Sequence, residues 1–105
     1  MKTRTKHITR LIKTNIQQSD AGAEVILFGS RARGDEKYDS DWDILVLTTL
    51  PVTIENERKF RNQLYKLELE VEEPFSLFVY PKNEWKFKKN STPFYMSVNK
   101  EGILL

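Results

Sequence analysis

The chain has 105 residues, of which 39% are hydrophobic, so it is long enough to form one domain with a real core. Charged residues make up 30%, but their signs nearly cancel at +2, which argues against a nucleic-acid binder that relies on a strong overall field. The absence of cysteine excludes a disulfide framework and a thiolate metal site, and no apolar run approaches the roughly 20 residues that span a bilayer.

The first half of the chain predicts one helix followed by two strands. Apolar residues at helical spacing predict an amphipathic helix near residues 3–18. These residues are Ile8, Leu11, Ile12 and Ile16. The segment EVILFGS (Glu24–Ser30) predicts a buried strand that runs into a tight turn at its glycine. The segment DWDILVLTT (Asp41–Thr49) predicts a second strand, which Pro51 ends.

The second half predicts helices on both sides of a third strand. Thr53 is placed to cap a helix that runs from Ile54 to about Leu69, and Pro74 closes that segment. The apolar segment FSLFVY (Phe75–Tyr80) predicts the third strand.

The last quarter of the chain predicts two short helices and a final strand. The segment NEWKFKK (83–89) predicts the first of these helices. The segment STPFYMSVNKEG predicts the second, with Ser91 or Thr92 as its cap, Pro93 in its first turn and Gly102 as its end. The terminal ILL predicts a short strand.

These elements predict the fold class. The link between the first two strands is too short for the helix of a full parallel crossover, so the sheet should be mixed. We therefore expect an α/β sandwich of the α+β type, with a small mixed β-sheet packed with helices.

The basic residues outside the central loop are expected to be ordinary surface charges. His7 lies on a basic helix and is expected at the surface. A nucleic-acid interface at the Lys82–Lys89 cluster is disfavoured, because Trp85 and Phe87 within it are more typical of a core. We expect no nucleic-acid or membrane partner. The charged N-terminus has no apolar segment of a signal peptide, and we expect a cytoplasmic location.

Two aspartates at the start of the second strand predict a metal site. Residues two apart in a strand point to the same face, so Asp41 and Asp43 project together while Trp42 points away. Two carboxylates on one face repel each other unless a cation or a proton separates them. Such a pair suits Mg²⁺, which takes one or two protein carboxylates and fills its shell with water and substrate phosphates. A solvated turn with aspartate caps is the structural alternative.

The loop before this strand predicts a phosphate site. Gly29 lets the backbone approach a ligand closely, and Ser30 offers a hydroxyl donor. Arg31 and Arg33 offer bidentate phosphate contacts, although at this spacing they cannot both face the same way on a helix. One of them could pair instead with a nearby acid. The nearby acids are Asp35, Glu36 and Asp39.

The segment LFGSRARGDEKYDSDWDILV (27–46) resembles the signature of the minimal nucleotidyltransferases, which belong to the DNA polymerase β-like nucleotidyltransferase superfamily. The resemblance implies that Asp41 and Asp43 are the catalytic metal ligands and that Gly29 and Ser30 bind the triphosphate. It also implies transfer of a nucleoside monophosphate from an NTP, commonly ATP, to an acceptor, by a single minimal domain over residues 1–105. Members of this family are often the antitoxin partners of helical HEPN-domain proteins, and some adenylylate them.

One position departs from the family pattern. The pattern places a third carboxylate on the next core strand, where the matching residue here is Ser76. Glu70, Glu72 and Glu73 lie just before that strand and could substitute for it. A missing general base typically costs about 10²- to 10⁴-fold in rate. Two hypotheses therefore stand: an Mg²⁺-dependent transferase acting on a partner protein, and a weak or inactive module that masks the partner.

Overall fold

The computed structural model describes residues 1–85 and 92–105, which form helices on both faces of a mixed sheet. The elements in chain order are α1 (Thr3–Ser19), β1 (Glu24–Phe28), α2 (Ser30–Arg33), β2 (Trp42–Thr48), α3 (Ile54–Val71), β3 (Phe75–Pro81), α4 (Lys82–Trp85), α5 (Pro93–Glu101) and β4 (Ile103–Leu104). No helix within these two ranges is long and apolar enough to cross a membrane.

The described strands form one sheet in the order β3-β2-β1-β4. Strand β1 pairs antiparallel with both β2 and β4, whereas β2 and β3 are parallel and are joined through α3. The short link between β1 and β2 permits only the antiparallel pairing, and the long link through α3 permits the parallel one. The predicted mixed sheet of an α/β sandwich is confirmed.

Each face of the sheet packs against its own helices. Helices α1 and α3 cover one face, where the buried residues include Ile8, Ile12, Ile16, Val25, Leu27, Trp42, Ile44, Val46, Phe60, Leu64 and Leu67. Helices α4 and α5 cover part of the other face, where a smaller cluster contains Phe28, Leu45, Leu47, Trp85, Tyr95 and Val98. The strand side chains alternate between these clusters, so β1 and β2 are buried on both faces.

Side-chain caps fix the starts of two helices. The Thr53 hydroxyl accepts a hydrogen bond from the Asn56 N–H at α3, and the Thr92 hydroxyl accepts one from the Tyr95 N–H at α5. Both caps were predicted. The alternative cap Ser91 and the predicted end of the helix over 83–89, with Phe87, lie outside the described residues. Trp85, which was predicted to lie in the core together with Phe87, is buried. His7 on α1 is exposed, as expected.

A buried aspartate joins the end of α1 to the end of β2. The Asp20 carboxylate accepts hydrogen bonds from the Thr48 hydroxyl at 2.7 Å and from the N–H and hydroxyl of Thr49 at 2.7 and 2.6 Å. Burial raises the pKa of Asp20, but the bonds from Thr49 and Thr48 outweigh it and hold the pKa below the ordinary value of 3.8.

Replacing Asp20 by alanine should lower the free energy of unfolding by about 1.5–3 kcal/mol at neutral pH, because buried donors lose a charged acceptor. A lowered pKa stabilises the fold above the unfolded value and stops doing so as the pH falls through the folded value. The difference between wild type and variant in urea unfolding should therefore be constant down to about pH 4 and shrink below it. A difference that is the same at all pH values would contradict this assignment.

Candidate active site

The two predicted metal ligands lie at the amino end of β2. Asp41 comes just before the strand and Asp43 is its second residue, while Trp42 between them is fully buried on the opposite face. In the strand register, Asp43 lies opposite Phe28 of β1 and Ser76 of β3. The acidic pair thus lies in the middle of the sheet, where β1 ends and β2 and β3 begin.

Asp43 lies near two other acidic side chains and one arginine. Burial raises the pKa of Asp43, and the charges of Asp41 and then Glu101 raise it further, whereas Arg33 lowers it. Carboxylates held this close favour a bound proton or a cation. The arrangement therefore fits a metal ion.

The two aspartates fit a cation that takes most of its ligands from water and substrate rather than from the protein. In residues 1–85 and 92–105, no three acidic, histidine or cysteine side chains are grouped to hold a metal ion. A cation here would have Asp41 and Asp43 as protein ligands and would complete its shell with water and phosphate oxygens, as Mg²⁺ commonly does.

The loop before the pair is built around a glycine that no other residue could replace without strain. Gly29 has φ +74°, and a Cβ there would lie 2.2 Å from Oδ2 of Asp43. A side chain at this position would collide with the aspartate, so glycine is needed both for its backbone conformation and for close approach. The chain then forms the single turn α2, and Gly34 at φ +85° ends it.

Ser76 lies next to both aspartates. Its hydroxyl donates a hydrogen bond to Oδ2 of Asp41 at 2.8 Å, and its backbone pairs in register with Asp43. A neutral donor thus stands beside the acidic pair, and this contact holds Asp41 in place.

The two loop arginines point in different directions, as their spacing requires. The Arg31 guanidinium is buried: it lies 4.6 Å from the centroid of the Trp42 ring, and donates to the Ser40 carbonyl at 2.9 Å and to Glu73 at 2.6 Å. Arg33 is exposed and pairs with Asp35, one of the predicted local acids. The Arg31 contacts lie inside the fold, so its predicted role in nucleotide binding gains no support from them.

Among the described residues, the three glutamates before β3 do not combine with the acidic pair into a group that could hold a metal ion. Glu73 forms ion pairs with Arg4 and Arg31; burial raises its pKa, but the bonds from these two arginines outweigh burial and lower it overall. Glu70 and Glu72 are exposed, and Glu72 caps the end of α3.

A glutamate that the sequence did not single out belongs to this site. Glu101, the last residue of α5, accepts a hydrogen bond from the Gly29 N–H at 3.2 Å and forms an ion pair with Arg33 at 2.8 Å. The one sequence signal is an acid directly before the helix-ending Gly102, where the helix dipole disfavours a negative charge.

Comparisons with known proteins bear on the family and the fold of the chain. A model of the family described as "Nucleotidyltransferase domain" matches residues 8–99. No curated protein matches the sequence. Two of the similar solved structures are a toxin–antitoxin with AMP-PNP (TM-score 0.66, 20% identity, covering 90% of this chain and 69% of that one) and a mutant of the toxin–antitoxin MntA-HpeT (TM-score 0.60, 20% identity, covering 95% and 70%).

Proposed function

The chain belongs to the nucleotidyltransferase domain family, and on that premise we propose that it transfers a nucleoside monophosphate from an NTP, in the first place ATP, to a hydroxyl group of a partner protein. The observation that carries this proposal is the acidic pair at the start of the central strand: the charge of Asp41 acts on Asp43, and Asp43 lies against the Gly29 turn. We propose that residues 1–105 act as one domain, in the cytoplasm, where NTPs are abundant.

The similar structures support the choice of nucleotide and partner. One of them contains AMP-PNP, and both are toxin–antitoxin assemblies. We therefore propose that this chain is the antitoxin of such a pair and that its acceptor is a helical protein of the HEPN type.

Each residue of the site has its own role in the proposed transfer. Asp41 and Asp43 would hold Mg²⁺, which when bound neutralises the charge of the phosphates. The Gly29 turn and the Ser30 hydroxyl would position the triphosphate, and Arg33 at the surface would contact its oxygens. Arg31, through Trp42 and Glu73, would hold the start of β2 in place from the opposite face.

The alternative function is a binding module that masks a partner without rapid turnover. Ser76 favours it, because its hydroxyl is bonded to Asp41 where the family pattern has a carboxylate that takes the acceptor's proton. A slow or absent transfer with intact Mg·ATP binding would favour this alternative.

Replacing Asp43 by asparagine should abolish the metal dependence of ATP binding and reduce label transfer from ATP by at least about 10²-fold, because the charge that stabilises the transferred group is lost. The acceptor is the protein encoded beside this gene. Asp39→Asn, an exposed aspartate of the same loop, is the matched control and should transfer like the wild type. Equal Mg·ATP binding by wild type and Asp43→Asn would remove the proposed function.

A further inference from the structure

The Glu101 carboxylate is held by two donors of the central loop. Its Oε1 accepts from the Gly29 N–H at 3.2 Å and its Oε2 accepts from Nη1 of Arg33 at 2.8 Å. The Glu101 side chain is 21% exposed, so the contact lies at the edge of the site rather than in the core. One carboxylate therefore accepts hydrogen bonds from both a backbone N–H and an arginine side chain of the same loop.

The position of Glu101 in its own helix does not explain this arrangement. It is the last residue of α5, where the helix dipole disfavours a negative charge. Gly29, whose N–H donates to Glu101, lies directly against Asp43, so Glu101 adds a second negative charge close to that carboxylate. The two loop donors are what offset these costs.

The same two donors, a backbone N–H and an arginine, are of the kinds that commonly bind phosphate groups in proteins. A carboxylate and a phosphate both present negatively charged oxygens to N–H groups, and an arginine binds either of them. Both anions cannot occupy these donors at once, and each repels the other.

We propose that Glu101 occupies the anion position formed by the Gly29 N–H and the Arg33 guanidinium, and that the phosphate chain of an NTP binds by displacing it. The proposal rests on the function proposed above. In the free protein, Glu101 therefore competes with triphosphate and weakens its binding. Arg33 contacts a phosphate only after the Glu101 carboxylate has moved away. The movement requires one side chain at the end of α5 to turn outward.

Titration with sodium triphosphate, with and without Mg²⁺, tests the proposal directly. Glu101→Gln keeps the shape of the side chain but removes its charge, so it should bind triphosphate about 5- to 10-fold more tightly than the wild type. Asp35→Asn is the matched control: it also removes one negative charge that pairs with Arg33, but it has no contact with Gly29. Its affinity should change by less than about twofold.

Unchanged or weaker triphosphate binding by Glu101→Gln would overturn the proposal, and so would an equal gain in Asp35→Asn. Absence of triphosphate binding in all three proteins would also overturn it. A residue that only stabilises the fold would lower the melting temperature without raising the affinity.

A second measurement uses the wild type alone and does not depend on the folding of a variant. The side-chain carboxyl carbon of Glu101 and the amide of Gly29 should shift together in NMR spectra as triphosphate is added, with one saturation curve. Triphosphate binding that leaves the Glu101 carbon unmoved would overturn the proposal.

The two proposals fail in different ways. Tighter triphosphate binding by Glu101→Gln without any AMP transfer would leave the anion position in place and remove the transfer reaction. AMP transfer that persists while Glu101→Gln gains no affinity would keep the transferase and remove the role of Glu101.

Discussion

Replacement of Ser76 by aspartate should make both the stability and the activity of the protein depend strongly on Mg²⁺. Without metal, the new carboxylate replaces the hydroxyl that donates to Asp41 at 2.8 Å and lies in register with Asp43. Loss of the bond and the added repulsion should lower the free energy of unfolding by about 1–3 kcal/mol. With Mg²⁺ bound, the third carboxylate is attracted, and the melting temperature should recover.

The rate of AMP transfer should rise in the same variant. If the missing general base limits the wild type, its restoration is worth about 10²- to 10⁴-fold in rate. Ser76→Asn is the matched control, because it has nearly the same size as aspartate without its charge. It should show neither recovery of the melting temperature by Mg²⁺ nor a rise in transfer.

Two results would count against this role of Ser76. A melting temperature of Ser76→Asp that does not respond to Mg²⁺ would show that the carboxylate does not reach the metal. A wild type that already transfers AMP as fast as Ser76→Asp would show that the third carboxylate is dispensable, and the masking-module alternative would be lost.

Replacing Trp42 by alanine should be the most destabilising single change in the site region. The ring is fully buried, packs edge-on against Phe75 at 6.5 Å between centroids, and carries the Arg31 guanidinium on its face. Truncation of a buried tryptophan costs about 3–5 kcal/mol, a large part of the 5–15 kcal/mol that typically stabilises a domain. It also removes the surface that holds Arg31 against Glu73.

The variant Trp42→Phe tests the packing of the aromatic ring separately from the effect of the indole N–H. The indole Nε1 is buried and has no hydrogen-bond partner within the described part of the chain. Phenylalanine removes that unsatisfied donor and leaves a smaller void, so its cost in urea unfolding should be under half that of alanine. Equal losses of stability in both variants would show that the ring does not bear the packing assigned to it.

The local features of the site were predictable from the sequence because they depend on neighbours along the chain. Apolar segments bounded by glycine and proline predicted the strands. The spacing of Asp41 and Asp43, two residues apart, predicted that their side chains project together. The tight turn predicted at the glycine after the first strand is present: β1 ends at Phe28, Gly29 turns the chain, and Ser30 begins the short helix α2, which was not predicted as a separate element.

The remaining contacts of the site join residues that are far apart in sequence. Arg31 pairs with Glu73 across 42 positions, and Arg33 pairs with Glu101 across 68. Periodicity and capping rules say nothing about such pairs, because the pairs exist only once the sheet order and the helix packing are fixed. The sequence therefore indicated that the two arginines diverge, but not which one turns inward.

The strand order has a consequence for protein synthesis. The two central strands, β1 and β2, come first along the chain, and the sheet is completed outward by β3 and β4. A nascent chain released as far as α3 already contains Gly29 and the acidic pair, but it lacks both Ser76 and Glu101. On the ribosome, the acidic pair thus emerges before the two side chains that hydrogen-bond to this region from β3 and α5.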